Sequence, residues 1–194
     1  IENVVTVLFG TPDEPALPSF ENLDVTSILD LDTLRMAAGV GRGGQADQVR
    51  GLYRDHCSEC HDLSGGGTGP TARLLDPYPH DFRRGIFKYK TTPSTEPPST
   101  ADLLRVLNAG VPGTAMRSFE RLPESHREAL IQYVRYLAIR GQFERELIVE
   151  VAVVLDEDER LLDPRLKEID PKTYAEQVRG LALIAERIAA KWVE

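Results

Sequence analysis

The chain has 194 residues, a formal net charge of −8 and 41% hydrophobic residues. That length buries one sizeable core with additions, no apolar run approaches the roughly 20 residues needed to cross a bilayer, and no Lys/Arg block is long or aromatic-interleaved enough to bind nucleic acid. Two cysteines three positions apart exclude a disulfide-stapled scaffold and give a Cys-only zinc site half of its ligands.

Residues 1–44 read as a wrapping arm. An apolar stretch (Val4, Val5, Val7, Leu8, Phe9) runs into the turn-rich Gly10 to Pro15. Val25 to Ala38 then carries Ile28, Leu31, Leu34 and Met36 at helical spacing and ends at Gly39. From Gln45 to His61 the pattern is helical again, which puts the cysteine pair at a helix C-terminus. Residues 62–80 are rich in Gly and Pro and read as loop, as does Thr91 to Thr100. Ser99 or Thr100 caps a helix holding Leu103, Leu104, Val106 and Leu107, closed by Asn108 and Gly110. Pro123 opens another helix that turns Leu130, Ile131, Val134 and Leu137 inward and is expected to stop at Gly141. The apolar run Leu147 to Leu155 suits strand or buried helix, and helix is the preferred reading. Asp170 and Pro171 start a final amphipathic helix whose stripe is Tyr174, Val178, Leu181, Ala185, Ile188 and Trp192. The expected organisation is therefore an N-terminal arm at 1–44, a central domain at 45–141 and a helical extension at 142–194.

Cys57-Ser58-Glu59-Cys60-His61 has the form Cys-x-x-Cys-His, the attachment signature for c-type haem. Two thiols so spaced at a helix end each add to a vinyl group on one porphyrin edge, and the next residue projects an imidazole to the iron. Two other readings compete. A redox Cys-x-x-Cys wants a strand before it and a helix after it, whereas here a helix precedes and a glycine loop follows. A zinc site using His56 or His61 lacks a second ligand pair at plausible spacing.

From Gln45 to Gly141 the sequence resembles the class I cytochromes c. The resemblance implies an all-α cytochrome c fold, three to five helices around one covalent haem, with N- and C-terminal extensions. It makes His61 the proximal ligand and places Tyr53 against the C-terminal helix of the fold, with Tyr133 and Tyr136 as partners. Gly69-Pro70 matches the family's Gly-Pro, whose Pro70 carbonyl would accept the proximal imidazole's Nδ1–H. Gly113-Thr114-Ala115-Met116 falls where the family puts its distal methionine, so Met116 is the expected sixth ligand. Arg117 stands where the family has Pro, which leaves the loop less rigid. His80 is the main rival to Met116, while Met36, His56 and His126 are weaker ones. The segment Asp81 to Lys90 is cationic and aromatic. Arg83, Arg84, Lys88 and Tyr89 either bind the haem propionates or form an exposed basic loop, and Phe82 and Phe87 are expected to shield the haem edge.

The implied role is one-electron transfer rather than enzyme catalysis, as a carrier or as the cytochrome domain of a larger respiratory oxidoreductase. The alternative is a haem sensor or small-ligand module with a labile distal ligand. Redox proteins with a basic docking face are the expected partners of a chain at −8, and nucleic acid is not. The resemblance implies a periplasmic or equivalent extracytoplasmic location. Ile1 in place of Met leaves room for a signal peptide or membrane anchor outside this sequence, and a second haem domain could lie there too.

Overall fold

The computed structural model describes residues 1–19, 25–39, 51–154 and 161–193. Among these the architecture is all-α, with no strand beyond an isolated bridge between Gly10 and Pro15. The helices are α1 (Glu2–Phe9), α2 (Leu31–Ala37), α3 (Leu52–His56), α4 (Ser58–His61), α5 (Thr100–Ala109), α6 (Glu124–Val154), α7 (Leu166–Ile169) and α8 (Pro171–Ala190). None of the described helices is long and apolar enough to cross a membrane.

Helix α6 is the axis of the molecule. Its apolar face buries Leu130, Tyr133, Leu137, Phe143 and Leu147, and α1, α2, α3, α5 and α8 all pack on it. The expected stop at Gly141 does not occur, and the helix runs 31 residues to Val154. The glycine is there for packing rather than termination. A Cβ at Gly141 would lie 2.4 Å from Arg83 Cβ, so the short 3-10 turn Phe82–Arg84 comes down onto bare backbone. Burial of Phe143 and Leu147 beyond that point carries the helix onward. The helical reading of the run from Leu147 holds as far as Val154, and Leu155 lies outside the described residues.

Chain 1–19 lies along α6. Phe9 packs at 5.2 Å from Phe143, Tyr136 Oη donates to the Phe9 carbonyl, and Tyr133 Oη donates to the Pro12 carbonyl at 2.6 Å. Arg54 forks onto Asp13 through two bonds of 2.8 and 2.9 Å, fixing the arm to α3. The helix expected over Val25 to Ala38 is shorter than its periodicity suggested. Asp30 accepts from Thr33 N at 2.8 Å and so caps α2, which starts at Leu31 after a separate 3-10 turn, Val25–Ser27. Of the helix expected over Gln45 to His61, residues 45–50 lie outside the described residues. The rest divides at Cys57 into α3 and α4.

Helix α8 starts as its sequence suggests, with Asp170 capping through Thr173 and Pro171 at the first turn. Leu181, Ala185, Ile188 and Trp192 are buried, whereas Val178 is exposed and Tyr174 half-buried. An ion pair, Arg187 to Glu146 at 2.6 Å, ties this helix to α6.

Candidate functional site

Cys57, with φ −125° and ψ −38°, is at once the C-cap of α3 and the N-cap of α4. This corner turns Cys57 and His61 toward one cavity, whose remaining wall is Phe82 and Phe87 from the loop, Leu103 and Leu107 from α5, Met116, and Leu130, Ile131 and Val134 from α6. The enclosed space amounts to about 70 Å³ and opens to solvent at its mouth. Its wall is almost wholly apolar, interrupted by one thiol, one imidazole and one thioether. That donor set fits haem: an apolar lining against which a macrocycle could pack, a thiol for covalent attachment, and a nitrogen and a soft sulfur that could ligate iron.

The thiol chemistry separates the readings of the cysteine pair. Burial, reinforced by Cys60 nearby, pushes the Cys57 thiol up to about 12. A redox dithiol needs the opposite, a lowered thiol that attacks as thiolate. Cys60 is not among the cavity's lining residues, and its Sγ lies 3.4 Å from Thr71 Oγ1. Among the described residues no three His, Cys, Asp or Glu side chains gather to hold a metal ion.

His61 Nδ1 lies 3.1 Å from the carbonyl of His80. A carbonyl only accepts, so this bond keeps the proton on Nδ1 and leaves the lone pair on Nε2 for a metal. Burial pushes the imidazole below its ordinary pKa, in opposition to that bond, and the ring stays neutral at pH 7. The expected acceptor was Pro70. Here Gly69-Pro70 instead runs behind α4, with Gly69 N donating to the Cys60 carbonyl at 3.1 Å and Thr71 N to that of Glu59 at 3.0 Å. Gly69 approaches so closely that a Cβ would meet the Glu59 carbonyl at 2.5 Å. The loop turns back through Gly67, whose N–H bonds the His61 carbonyl, and so brings 79–82 under the imidazole.

Phe82 stacks on the His61 ring at 4.5 Å and on Phe87 at 5.9 Å, so both phenylalanines wall the cavity. His80 itself lies on the Nδ1 side of His61, away from Nε2, and its own Nε2 donates to the Ile86 carbonyl. Met36 and His126 do not line the cavity, and His56 sits against Phe119 at 6.0 Å. Met116 is in the wall.

The Met116 loop is held by hydrogen bonds in place of the missing proline. Gly110, at φ 68°, turns the chain off α5, and Val111 N donates to the Met116 carbonyl at 2.9 Å. Thr114 Oγ1 donates to the Val111 carbonyl and accepts from Met116 N at 3.1 Å. Phe119 N closes the loop onto the Leu107 carbonyl at 2.9 Å. Arg117 turns over the Phe119 ring at 5.3 Å.

The crossing of α3 and α6 matches the expectation for its tyrosines. Tyr53 is buried 4.9 Å from Tyr133, and its hydroxyl donates to the Asp62 carbonyl at 2.9 Å. The basic side chains of the segment Asp81 to Lys90 lie outside the cavity lining. Arg83 is committed to Asp81 through bonds of 2.9 and 3.1 Å, its guanidinium beside Gly66 and its stem against Gly141, because a carboxylate two positions away is its nearest fork-shaped partner. Arg84, Lys88 and Tyr89 are exposed, and none of the four lines the cavity. Sequence reasoning treated Leu103 and Leu107 only as helix filler and did not connect Trp192 with this region. Trp192 meets Phe87 edge-on at 6.4 Å.

Residues 44–134 match the family described as cytochrome c oxidase, cbb3-type, subunit III. No curated protein matches the chain. Among solved structures, a chain of the Kuenenia stuttgartiensis reducing HAO-like protein complex is similar at 21% identity and a TM-score of 0.46, over 81% of this chain and 63% of that one. The present chain thus spans less than two thirds of that relative's length.

Proposed function

Because residues 44–134 are a c-type cytochrome domain, a kind of domain that implies haem-based electron transfer, we propose that the chain passes single electrons through one haem c bound covalently by Cys57 and Cys60. His61 and Met116 would ligate its iron. When bound, the haem supplies a one-electron couple, and the protein tunes its potential and exposure. The observation that carries this reading is the shared cavity of Cys57, His61 and Met116 in an otherwise apolar wall.

Each residue has a definite task in this proposal. The His80 carbonyl orients the His61 imidazole and raises its basicity. The Met116 thioether, as an iron ligand, would favour the ferrous state and raise the potential. Phe82, Phe87, Leu103 and Leu107 exclude water from the slot. With His61 and Met116 both on the iron no position would stay open for substrate, which suits a carrier or an electron-transfer domain of a larger oxidoreductase. Cytochrome c domains are typically extracytoplasmic, and we place this one in a periplasmic or equivalent compartment with redox proteins as partners. With a net charge of −8 the favoured partner presents a basic face.

The test is mass spectrometry of the mature protein together with its ferric spectrum. The expected result is the mass of one haem added to the polypeptide and a red-region charge-transfer band that disappears in Met116→Ala. The apoprotein mass in matured material, or zinc in place of iron, refutes the proposal. Tight binding of carbon monoxide by the reduced wild type without that band would replace the carrier with a ligand-binding module.

A further inference from the structure

The loop Thr91 to Ser99 holds Pro93, Pro97 and Pro98, none of which has an N–H to give. Its backbone therefore carries more carbonyls than amide donors, and carbonyls turned away from solvent need partners. The Glu96 N–H meets the Pro93 carbonyl at 3.0 Å, and the Thr92 hydroxyl donates to the Pro97 carbonyl at 2.6 Å. Three of the loop's carbonyls and that hydroxyl converge on one point, where the Lys90 ammonium sits. Its Nζ lies 2.6 Å from the Glu96 carbonyl, 3.3 Å from both the carbonyl and the hydroxyl oxygen of Thr92, and also against the Pro93 carbonyl. The hydroxyl has given its proton to Pro97, so it turns a lone pair to the ammonium. Lys90 is drawn half into the protein, whereas Lys88, two positions earlier, is exposed.

Four oxygens around a group with three protons make a coordination shell rather than a set of one-to-one bonds. All four are neutral. Ca2+ and Mg2+ sites draw on carboxylates at about 2.0–2.6 Å, whereas rings of backbone carbonyls serve large, singly charged ions such as K+. We propose that residues 92–96 form a monovalent-cation site, filled in this chain by the tethered ammonium of Lys90, which takes a free K+ or ammonium ion when that side chain is removed. None of these residues lines the cavity, and the proposal does not rest on the electron-transfer reading. Its effect reaches the cavity all the same. Thr91 and Ser99, at the two ends of the loop, both donate to Asp102 in the first turn of α5, the helix that carries Leu103 and Leu107.

Urea unfolding of the full chain in chlorides of equal ionic strength reads the site, because urea is uncharged and does not compete for it. In tetramethylammonium chloride, whose cation is too large to enter, the midpoint of Lys90→Ala should fall below that of the wild type. Replacing that salt by potassium or ammonium chloride should return most of the loss, growing with the logarithm of ion concentration as binding to the folded state requires. Lithium and sodium chloride should return less. The wild type, with its own cation in place, should keep one midpoint in all these salts. Adding Thr92→Val to Lys90→Ala removes one of the four oxygens and should weaken the recovery. A Lys90→Ala midpoint that does not fall, or that is the same in every chloride, overturns the proposal. So does a wild type that gains as much from potassium as the variant does. If Lys90→Ala folds in none of the salts, the 15N-labelled wild type decides. Of the ammonium groups of Lys88, Lys90, Lys167, Lys172 and Lys191, one should exchange its protons slowly, and equally fast exchange at all of them overturns the cage. These readouts report folding and proton exchange, so they stand apart from the fate of the electron-transfer reading.

Discussion

Asp102, in the first turn of α5, accepts hydrogen bonds from both the backbone N–H and the hydroxyl of Thr91, at 3.0 and 3.1 Å, across the Pro-rich loop that separates them. The same carboxylate completes a capping box with Ser99 and pairs with Arg105 at 2.8 Å. One buried side chain therefore closes the loop and starts the helix that carries Leu103 and Leu107 to the cavity.

Burial by itself would raise the Asp102 carboxyl, but the donors from Thr91, Arg105 and Ser99 outweigh it and hold the group well below the usual carboxylate range. A depressed carboxylate stabilises the fold fully above its unfolded value of about 4, and the contribution fades as pH falls from there toward the folded value. Asp102→Asn is expected to melt several degrees below wild type at pH 7, with the gap narrowing at pH 3. Thermal melts at the two pH values check this, and a gap that does not narrow counts against it.

The tilted tyrosine pair of α3 and α6, Tyr53 and Tyr133, should be energetically coupled. Double-mutant cycles on Tyr53→Leu and Tyr133→Leu are expected to give about 0.5–1.5 kcal/mol beyond the separate losses, the usual worth of an aromatic pair. Tyr53→Phe keeps the ring and loses the bond to the Asp62 carbonyl, which should cost about 0.5–1.5 kcal/mol in denaturant unfolding. Simple additivity of the leucine variants would show that the two rings merely fill space.

Two helical glycines should answer alanine with opposite signs. Gly180 has open space around a built Cβ, so Gly180→Ala should stabilise by about 0.5–1 kcal/mol through helix propensity. At Gly141 the new methyl meets Arg83 Cβ and Cα at 2.4 and 2.5 Å, and overpacking should exceed the propensity gain for a net loss of about 1–2 kcal/mol. Chemical denaturation of the two variants side by side measures the difference.

Thr114 should control how firmly Met116 is presented. Thr114→Val removes the hydroxyl that links Val111 and Met116 while keeping the side chain's shape. Under the proposed ligation, the red-region band should weaken and carbon monoxide should bind the reduced variant more readily than wild type. An unchanged band would assign the loop's rigidity to its backbone bonds alone.

Much of the site could be read from residue spacing. Cys57, Cys60 and His61 are adjacent in sequence, and Tyr53 lies one helical turn before them, so local periodicity suffices to place them. The carbonyl behind His61 could not be read in the same way. Every residue carries that group, and only the closure of the glycine loop decides that His80 rather than Pro70 presents it. Gly141 misled because a glycine after Arg140 looks like a helix stop, whereas its purpose is the close approach of Arg83, a contact between residues 58 positions apart. Arg83 was read either as a ligand for propionate or as part of an exposed basic loop, and its bonds to Asp81 were not foreseen. Trp192 marked the end of an amphipathic stripe, and periodicity says which face is apolar but not what it covers.

The length of α6 couples regions that the sequence appeared to separate. At about 1.5 Å per residue its 31 residues make a shaft of about 46 Å. Leu130 to Val134 near one end form a cavity wall, and Glu146 farther along anchors α8. A protein that gripped α8 would therefore hold the far end of the same lever, and a small tilt there would be felt as altered clearance along the cavity wall.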